Sequence, residues 1–393
     1  MATVQKRGKS YRIRVSDGYT AAGKQVTRSM TWTPAPGMTE RQVQKELQRQ
    51  VVQFEASAAA VSASVKFEVF AKQWFEEYAA INLRPRSLER YQDYEQRTYK
   101  AIGHLSLDKI GVRTIQKFIN SLSQPGTNQR SGAGLSVKTQ RGYLSFISSI
   151  FSYAAQIGVI RDNPAQYVKL PKRTASEKKI YTVEQVQTIL EHLPEAPLWF
   201  QVFLLLAIYG GPRKEEILGF EWDDFDAESG LVSICRASLY SKQLGTYTDT
   251  TKTAGSTRII KYPAFIFDYV RRLKVEQNAQ RLRLGDRWHD TERLFTTWDG
   301  RPMSTNTPYK ALQRFCEQHD LPNLGIHSFR HLNASLLIAG GVDVRTVSAA
   351  LGHTQTSTTL NIYAHAFAEA QAKASQVVAD ALPFSPPQQK AKA

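Results

Sequence analysis

Residues 327–365 read HSFRHLNASLLIAGGVDVRTVSAALGHTQTSTTLNIYAH, and their spacing decides how the rest of the chain is understood. His327 and Arg330 form H-x-x-R. Three residues apart on a helix they share one face, so a ring and a guanidinium can meet the same anionic group. Leu351, Gly352 and His353 follow, and Tyr363 lies ten residues beyond His353. The chain holds 17 tyrosines, so an arbitrary one is a packing or surface residue. Tyr363 differs because no other tyrosine follows the L-G-H cluster. His327 and His331 are also four apart, a spacing that suits two metal ligands on one helix. The hydrolase pattern H-E-x-x-H needs a glutamate where Ser328 stands, so the anion reading is preferred over zinc.

Two polar clusters lie upstream, YGGPRKEEILGFEWDDFD (209–226) and TKTAGSTRII (251–260). In the first, Arg213 follows an apolar helical run (198–210), with Glu216 three residues on. An exposed Arg–Glu pair, worth little, is the alternative there. Lys252 falls on a turn between two strand-like runs, where a lysine is ordinarily just solvated. Around these clusters the helical patterns are 182–193, opened by a Thr182/Gln185 capping box, then 266–284, 307–319 and 328–339. Short strands are expected at 231–239 and 257–264.

Composition narrows the class of partner. The 393 residues carry 51 Lys+Arg against 35 Asp+Glu, a net charge of +16. Residues 1–56 hold +6, residues 57–174 hold +9, and the remainder only +1. Excess positive charge confined to the first part of the chain points to a polyanion, because each neutralised phosphate releases counterions. A solubility role is the competing reading. The 42% apolar fraction excludes wholesale disorder. No run of about 18 apolar residues is long enough to span a bilayer, and the basic start lacks an apolar signal core. A cytoplasmic protein is therefore expected. Cys235 and Cys316 make no disulfide framework or metal cluster, and each reads as a small hydrophobe.

Cleaving and rejoining a phosphodiester without nucleotide or metal needs a clamp for phosphate charge, a nucleophile that stores the bond, and a proton for the leaving oxygen. Paired guanidiniums suit the clamp, since their planar forks match phosphate oxygens and stay charged. The order Arg213, Lys252, His327, Arg330, His353, Tyr363 resembles the tyrosine recombinases, also called phage-type integrases, over roughly 175–385. The resemblance implies that Tyr363 attacks a scissile phosphate to give a 3′-phosphotyrosyl enzyme. Arg213, Arg330 and His353 would hold the phosphate, Lys252 would protonate the leaving 5′-oxygen, His327 would assist proton transfer, and Glu216 would support the site. No cofactor and no metal ligand are implied. The runner-up functions are a type IB topoisomerase and a DNA-binding regulator without chemistry.

The fold class expected is multidomain. A small α/β module, a three-stranded sheet plus a helix, is read at 1–56, and it resembles the arm-site DNA-binding domain of such integrases. There Arg12, Arg14, Lys24 and Arg28 could face a DNA groove or water. An all-α core-site DNA-binding domain is read at 65–165, with helical patterns at 67–80, 86–101, 106–122 and 136–158, and with Lys138 and Arg141 offered to DNA. A mixed, mainly α catalytic domain with a small sheet is read at 175–385. The stretches 56–64 and 162–180 read as linkers, and 386–393 as a disordered tail. By the resemblance, the chain integrates and excises a phage or transposon element on double-stranded DNA through a Holliday junction. It would do so as a homo-tetramer joined by the C-terminal segment, with an excisionase or host DNA-bending protein as accessory partner.

Overall fold

Period-two alternation in the first 32 residues builds a sheet with one apolar face. In the computed structural model, which describes residues 2–19, 25–63, 65–172, 179–250, 257–352, 355–363 and 380–382, β1 (Thr3–Arg7), β2 (Ser10–Tyr19) and β3 (Gln25–Trp32) form an antiparallel meander. Ile13 and Val15 on β2 are buried together with Leu47 of α1 (Glu40–Ala63). Arg12 and Arg14, out of phase with them, point to the opposite face. There Arg12 Nη2 donates to Ser29 Oγ at 3.1 Å, and the register sets Arg14 opposite Ser29. Arg28 pairs with Val15 in that register, and its side chain, like all of Lys24, lies outside the described residues. Thr39 starts α1 with its backbone N–H on Gln42 Oε1 at 2.9 Å. The helix does not stop at residue 56. The Ala-rich stretch expected to be a linker is its last turns, in keeping with alanine's helix propensity.

The chain divides into two compact units, Met1–Ala175 and Ser176–Ala393. In the first, α2 (Phe67–Trp74), a π-helical turn (Phe75–Ala79), α3 (Ala80–Asn82), α4 (Pro85–Thr98), a second π-helical turn (Tyr99–Gly103), α5 (Val112–Ser121) and α6 (Val137–Gln156) surround an aromatic core. Phe67, Trp74, Phe146 and Phe151 are its fully buried centre. Lys138 and Arg141, three apart on α6, are exposed. The supposed second linker is partly structured: Asn163 donates to the Ser148 carbonyl and Ser152 Oγ, and Ala165 and Val168 are buried in the helical core.

The second unit is built on α8 (Leu198–Gly210), apolar on all sides and almost wholly buried. Before it comes α7 (Val183–His192), with both halves of the Thr182/Gln185 capping box formed. After it come the short α9 (Lys214–Ile217), β4 (Phe225–Asp226) and β5 (Leu231–Ile234). The expected strand 231–239 divides here: β5 pairs with β4 and β8 (Arg258–Lys261), whereas β6 (Arg236–Ser241) pairs with β7 (Gly245–Thr250) as a separate hairpin. Helices α10 (Ala264–Leu284), α11 (Thr307–Gln318), α12 (His327–Ala339), α13 (Val344–Leu351) and α14 (Thr356–Ile362) complete it. Among the described residues, no helix is long and apolar enough to cross a membrane. The expected fold, a small sheet with a helix, a helical core and a mainly α region with small sheets, is the one observed.

Candidate active site

Helix α13 ends on Gly352, whose φ of +64° lies in the left-handed region. A helix leaves its last carbonyls without intrahelical donors. Here three consecutive carbonyls each accept from a different arginine. Arg258 Nε donates to Ala350 O at 2.7 Å, Arg330 Nη2 to Leu351 O, and Arg213 Nη2 to Gly352 O at 3.0 Å. The partial negative charge of a helix C-terminus favours the cations it gathers. Gly352 serves a second purpose, because a Cβ there would sit 2.7 Å from Arg258 Nη1.

One carboxylate ties this cluster together. Glu216 Oε1 and Oε2 accept from Arg258 Nη1 and Nη2 at 3.2 and 2.8 Å, a bidentate pair. Glu216 Oε1 also accepts from Arg213 Nη1 at 2.7 Å, and Oε2 from the Arg213 backbone N–H at 2.7 Å. The exposed-pair alternative fails because the Glu216 side chain is only 5% accessible. Burial alone would raise its carboxyl; the Arg258 fork, then Arg213, overcome that and hold it at about 2. Arg330, fixed by Gly211 O at 2.8 Å and Leu351 O, is 2% exposed. Burial first, and Arg213 second, pull its guanidinium down to about 9, so it remains a cation at neutral pH. Three guanidiniums against one carboxylate leave the cluster at +2, and Arg213, 38% exposed, opens it to solvent. Among the described residues this excess of guanidinium over carboxylate suits an anion.

Tyr363 stands at the same cluster. Its hydroxyl is 2.8 Å from His331 Nδ1, the pair is buried, and its ring packs among Ala334, Ile338, Val347 and Leu351. Burial pushes the phenol up to about 12, while the nearby Arg330 charge opposes the rise. His327, one turn before His331, sets its ring edge-on at 4.8 Å. The helix is anchored behind this face: Ser328 Oγ accepts from Tyr181 N–H at 2.9 Å, and Tyr181 stacks on Phe329 at 4.7 Å. Asn333 Nδ2 binds the Ile208 and Tyr209 carbonyls, each at 3.0 Å, locking α12 to the end of α8 where Gly211 turns toward Arg213.

Of the residues named from sequence, Arg213, Glu216, His327, Arg330 and Tyr363 converge. Lys252 and His353 lie outside the described residues. Two members were missed. Arg258 stands at the end of the T-K-T-A-G-S-T-R run, and its signal was an arginine opening a strand beside the lysine turn. His331 was weighed only as a metal ligand; its proximity to Tyr363 depends on how α14 returns to α12, which spacing does not disclose.

The model of the phage integrase family matches residues 179–370, and that of the phage integrase N-terminal SAM-like domain matches 66–123. The chain belongs to the phage integrase family. This integrase is 25% identical over 396 residues to a XerC-like tyrosine recombinase of Caldanaerobacter subterraneus subsp. tengcongensis, an alignment covering 95% of this chain and 97% of the relative. It is 26% identical over 297 residues to the ICEBs1 integrase of Bacillus subtilis, covering 74% and 78%. Among solved structures, the Tn1549 transposon integrase in complex with a circular intermediate DNA matches with a TM-score of 0.64 at 18% identity, covering 80% of this chain and 100% of that one. A lambda integrase tetramer bound to a Holliday junction matches with a TM-score of 0.53 at 16% identity, covering 91% and 94%. At these identities the structural likenesses speak for the fold. Tyrosine recombinases break and rejoin DNA, and the topoisomerase and regulator alternatives are not favoured.

Proposed function

We propose that this integrase joins and releases a mobile element at specific DNA sites through a covalent bond to Tyr363. The phenolic oxygen attacks the scissile phosphorus, the bond to the 5′-oxygen breaks, and a 3′-phosphotyrosyl ester stores its energy. The phenol's proton passes to His331 Nδ1, 2.8 Å away, with His327 as its neighbour. The leaving oxygen takes its proton from Lys252. Arg213 and Arg330 clamp the phosphate, His353 adds a donor, and Glu216 with Arg258 fixes Arg213. The 5′-hydroxyl of a partner duplex then reverses the step, and two such exchanges pass through a Holliday junction. The observation that carries this reading is a cationic cluster short of an anion with a buried tyrosine beside it.

The sheet of β1–β3 and the helices α2–α6 serve as arm-site and core-site grips, drawing on the charge concentrated in the first 174 residues. Four copies assemble on DNA in the bacterial cytoplasm, coupled by the C-terminal segment and aided by an excisionase or host DNA-bending protein. The test is a nicked suicide DNA substrate in EDTA. A covalent protein–DNA adduct with the unaltered chain and none with Tyr363→Phe supports the reading. An adduct that survives Tyr363→Phe, or none with either protein, refutes it. A two-site exchange assay then separates recombination from DNA relaxation.

A further inference from the structure

Outside the site, three donor groups of the second unit meet where two helices end. His192 is the last residue of α7, Glu195 closes the 3-10 turn that follows, and His319 caps α11. His192 Nδ1 is 2.9 Å from Glu195 Oε1, and His319 Nε2 is 3.9 Å from Glu195 Oε2, too long for a hydrogen bond. All three ligand atoms lie within 4.8 Å of one another. The His319 side chain is 8% exposed, wedged between the His192 ring at 4.3 Å and the Phe315 ring at 4.6 Å. Its buried Nε2 has no hydrogen-bond partner among the described residues. A buried imidazole nitrogen left unpaired is a cost that a ligand removes.

We propose that His192, Glu195 and His319 bind one divalent transition metal, zinc being the best fit. Two imidazoles and a carboxylate are a zinc donor set, whereas magnesium and calcium prefer oxygen alone. Around a tetrahedral zinc such donors stand about 3.4 Å apart; here they lie within 4.8 Å of one another with the two rings stacked at 24°, so binding would require the imidazoles to turn toward a common point as well as the carboxylate to move. The two helix C-termini add partial negative charge that favours a cation. His192 binds the metal through Nδ1 as the neutral ring with its proton on Nε2, and a fourth position is left for water. It clasps α7, at the start of the unit, to α11, far along the chain. This site is separate from the cluster around Glu216; His192 and Glu195 lie three residues apart, but His319 joins them only through the fold.

The test uses the full chain, dialysed against chelator and then titrated with Zn²⁺ or Co²⁺ alone. About one equivalent of Co²⁺ should bind with the intense visible absorption of a tetrahedral site. Zn²⁺ at a hundredfold excess over its Kd should raise the Tm by about 5–10 °C. Glu195→Gln and His319→Gln should each remove the visible band and the Tm shift. Glu195 is exposed, so its variant stays folded even if the buried His319→Gln change weakens the fold. Co²⁺ absorption and Zn²⁺ stabilisation undiminished in Glu195→Gln would overturn the proposal, as would the absence of a tetrahedral spectrum in the unaltered chain. Adduct formation in EDTA is read separately, so failure of the metal site leaves the Tyr363 reading intact.

Discussion

Glu216→Gln is the most informative single change, because one carboxylate satisfies two arginines. The substitution keeps the size of the side chain. It replaces a charge that accepts from Arg258 twice, and from the Arg213 side chain and backbone, by an amide whose NH2 must face cations. A carboxyl held at about 2 in the folded chain against its ordinary 4.5 contributes about 3 kcal/mol at neutral pH. Removing one partner of a buried ion pair costs about 3–5 kcal/mol, which agrees. For a unit of this size that is a Tm lower by roughly 6–20 °C. The folded-state value lies below the unfolded one. The stabilisation is therefore complete above about pH 4.5 and disappears as the pH falls toward 2. Urea unfolding followed by far-ultraviolet circular dichroism at pH 7 and pH 3 measures it. The gap between the two proteins should be about 3 kcal/mol at pH 7 and clearly smaller at pH 3. A gap under about 1 kcal/mol at pH 7, or one that does not shrink on acidification, would refute the assignment of Glu216 as the anchor of Arg258.

Three further outcomes follow from the same geometry. Gly352→Ala forces a side chain onto a left-handed residue and drives its Cβ against Arg258. It should cost about 1–2 kcal/mol in denaturant unfolding and slow adduct formation at least about tenfold. His331→Phe keeps a ring beside Tyr363 but removes the acceptor of its proton; single-turnover cleavage should fall by about 10²–10⁴ with DNA affinity, measured by gel shift, nearly unchanged. Deleting residues 1–63 removes the β1–β3 sheet and α1. Binding to element-end sites should weaken and become less steeply salt-dependent while core-site cleavage stays measurable, and equal loss at both site types would contradict the division of labour.

Much of this molecule is legible in one dimension. The run 198–210, apolar except for Gln201, reads as a buried helix, and the Thr182/Gln185 box fixed the start of α7 from two residues. H-x-x-R put His327 and Arg330 on one face because the helical period demands it. The misreadings have physical causes. Residues 56–63 lack apolar periodicity and so resemble a linker, yet alanine's high helix propensity carries the helix through them. The division between β5 and β6 depends on which neighbour each strand finds, not on its own alternation. Arg258 and the carbonyls of residues 350–352 are nonlocal: nothing in L-G-H says that its glycine aims three successive carbonyls at three arginines.

The central claim, that a DNA strand becomes esterified to one phenol held beside these guanidiniums, is tested most directly by locating the bond. The adduct formed on suicide DNA is trimmed with nuclease, digested and sequenced by mass spectrometry. The account predicts a nucleotide remnant on the peptide containing Tyr363 and on that tyrosine alone. A remnant on any other residue, or a clean Tyr363 peptide from trapped protein, contradicts it.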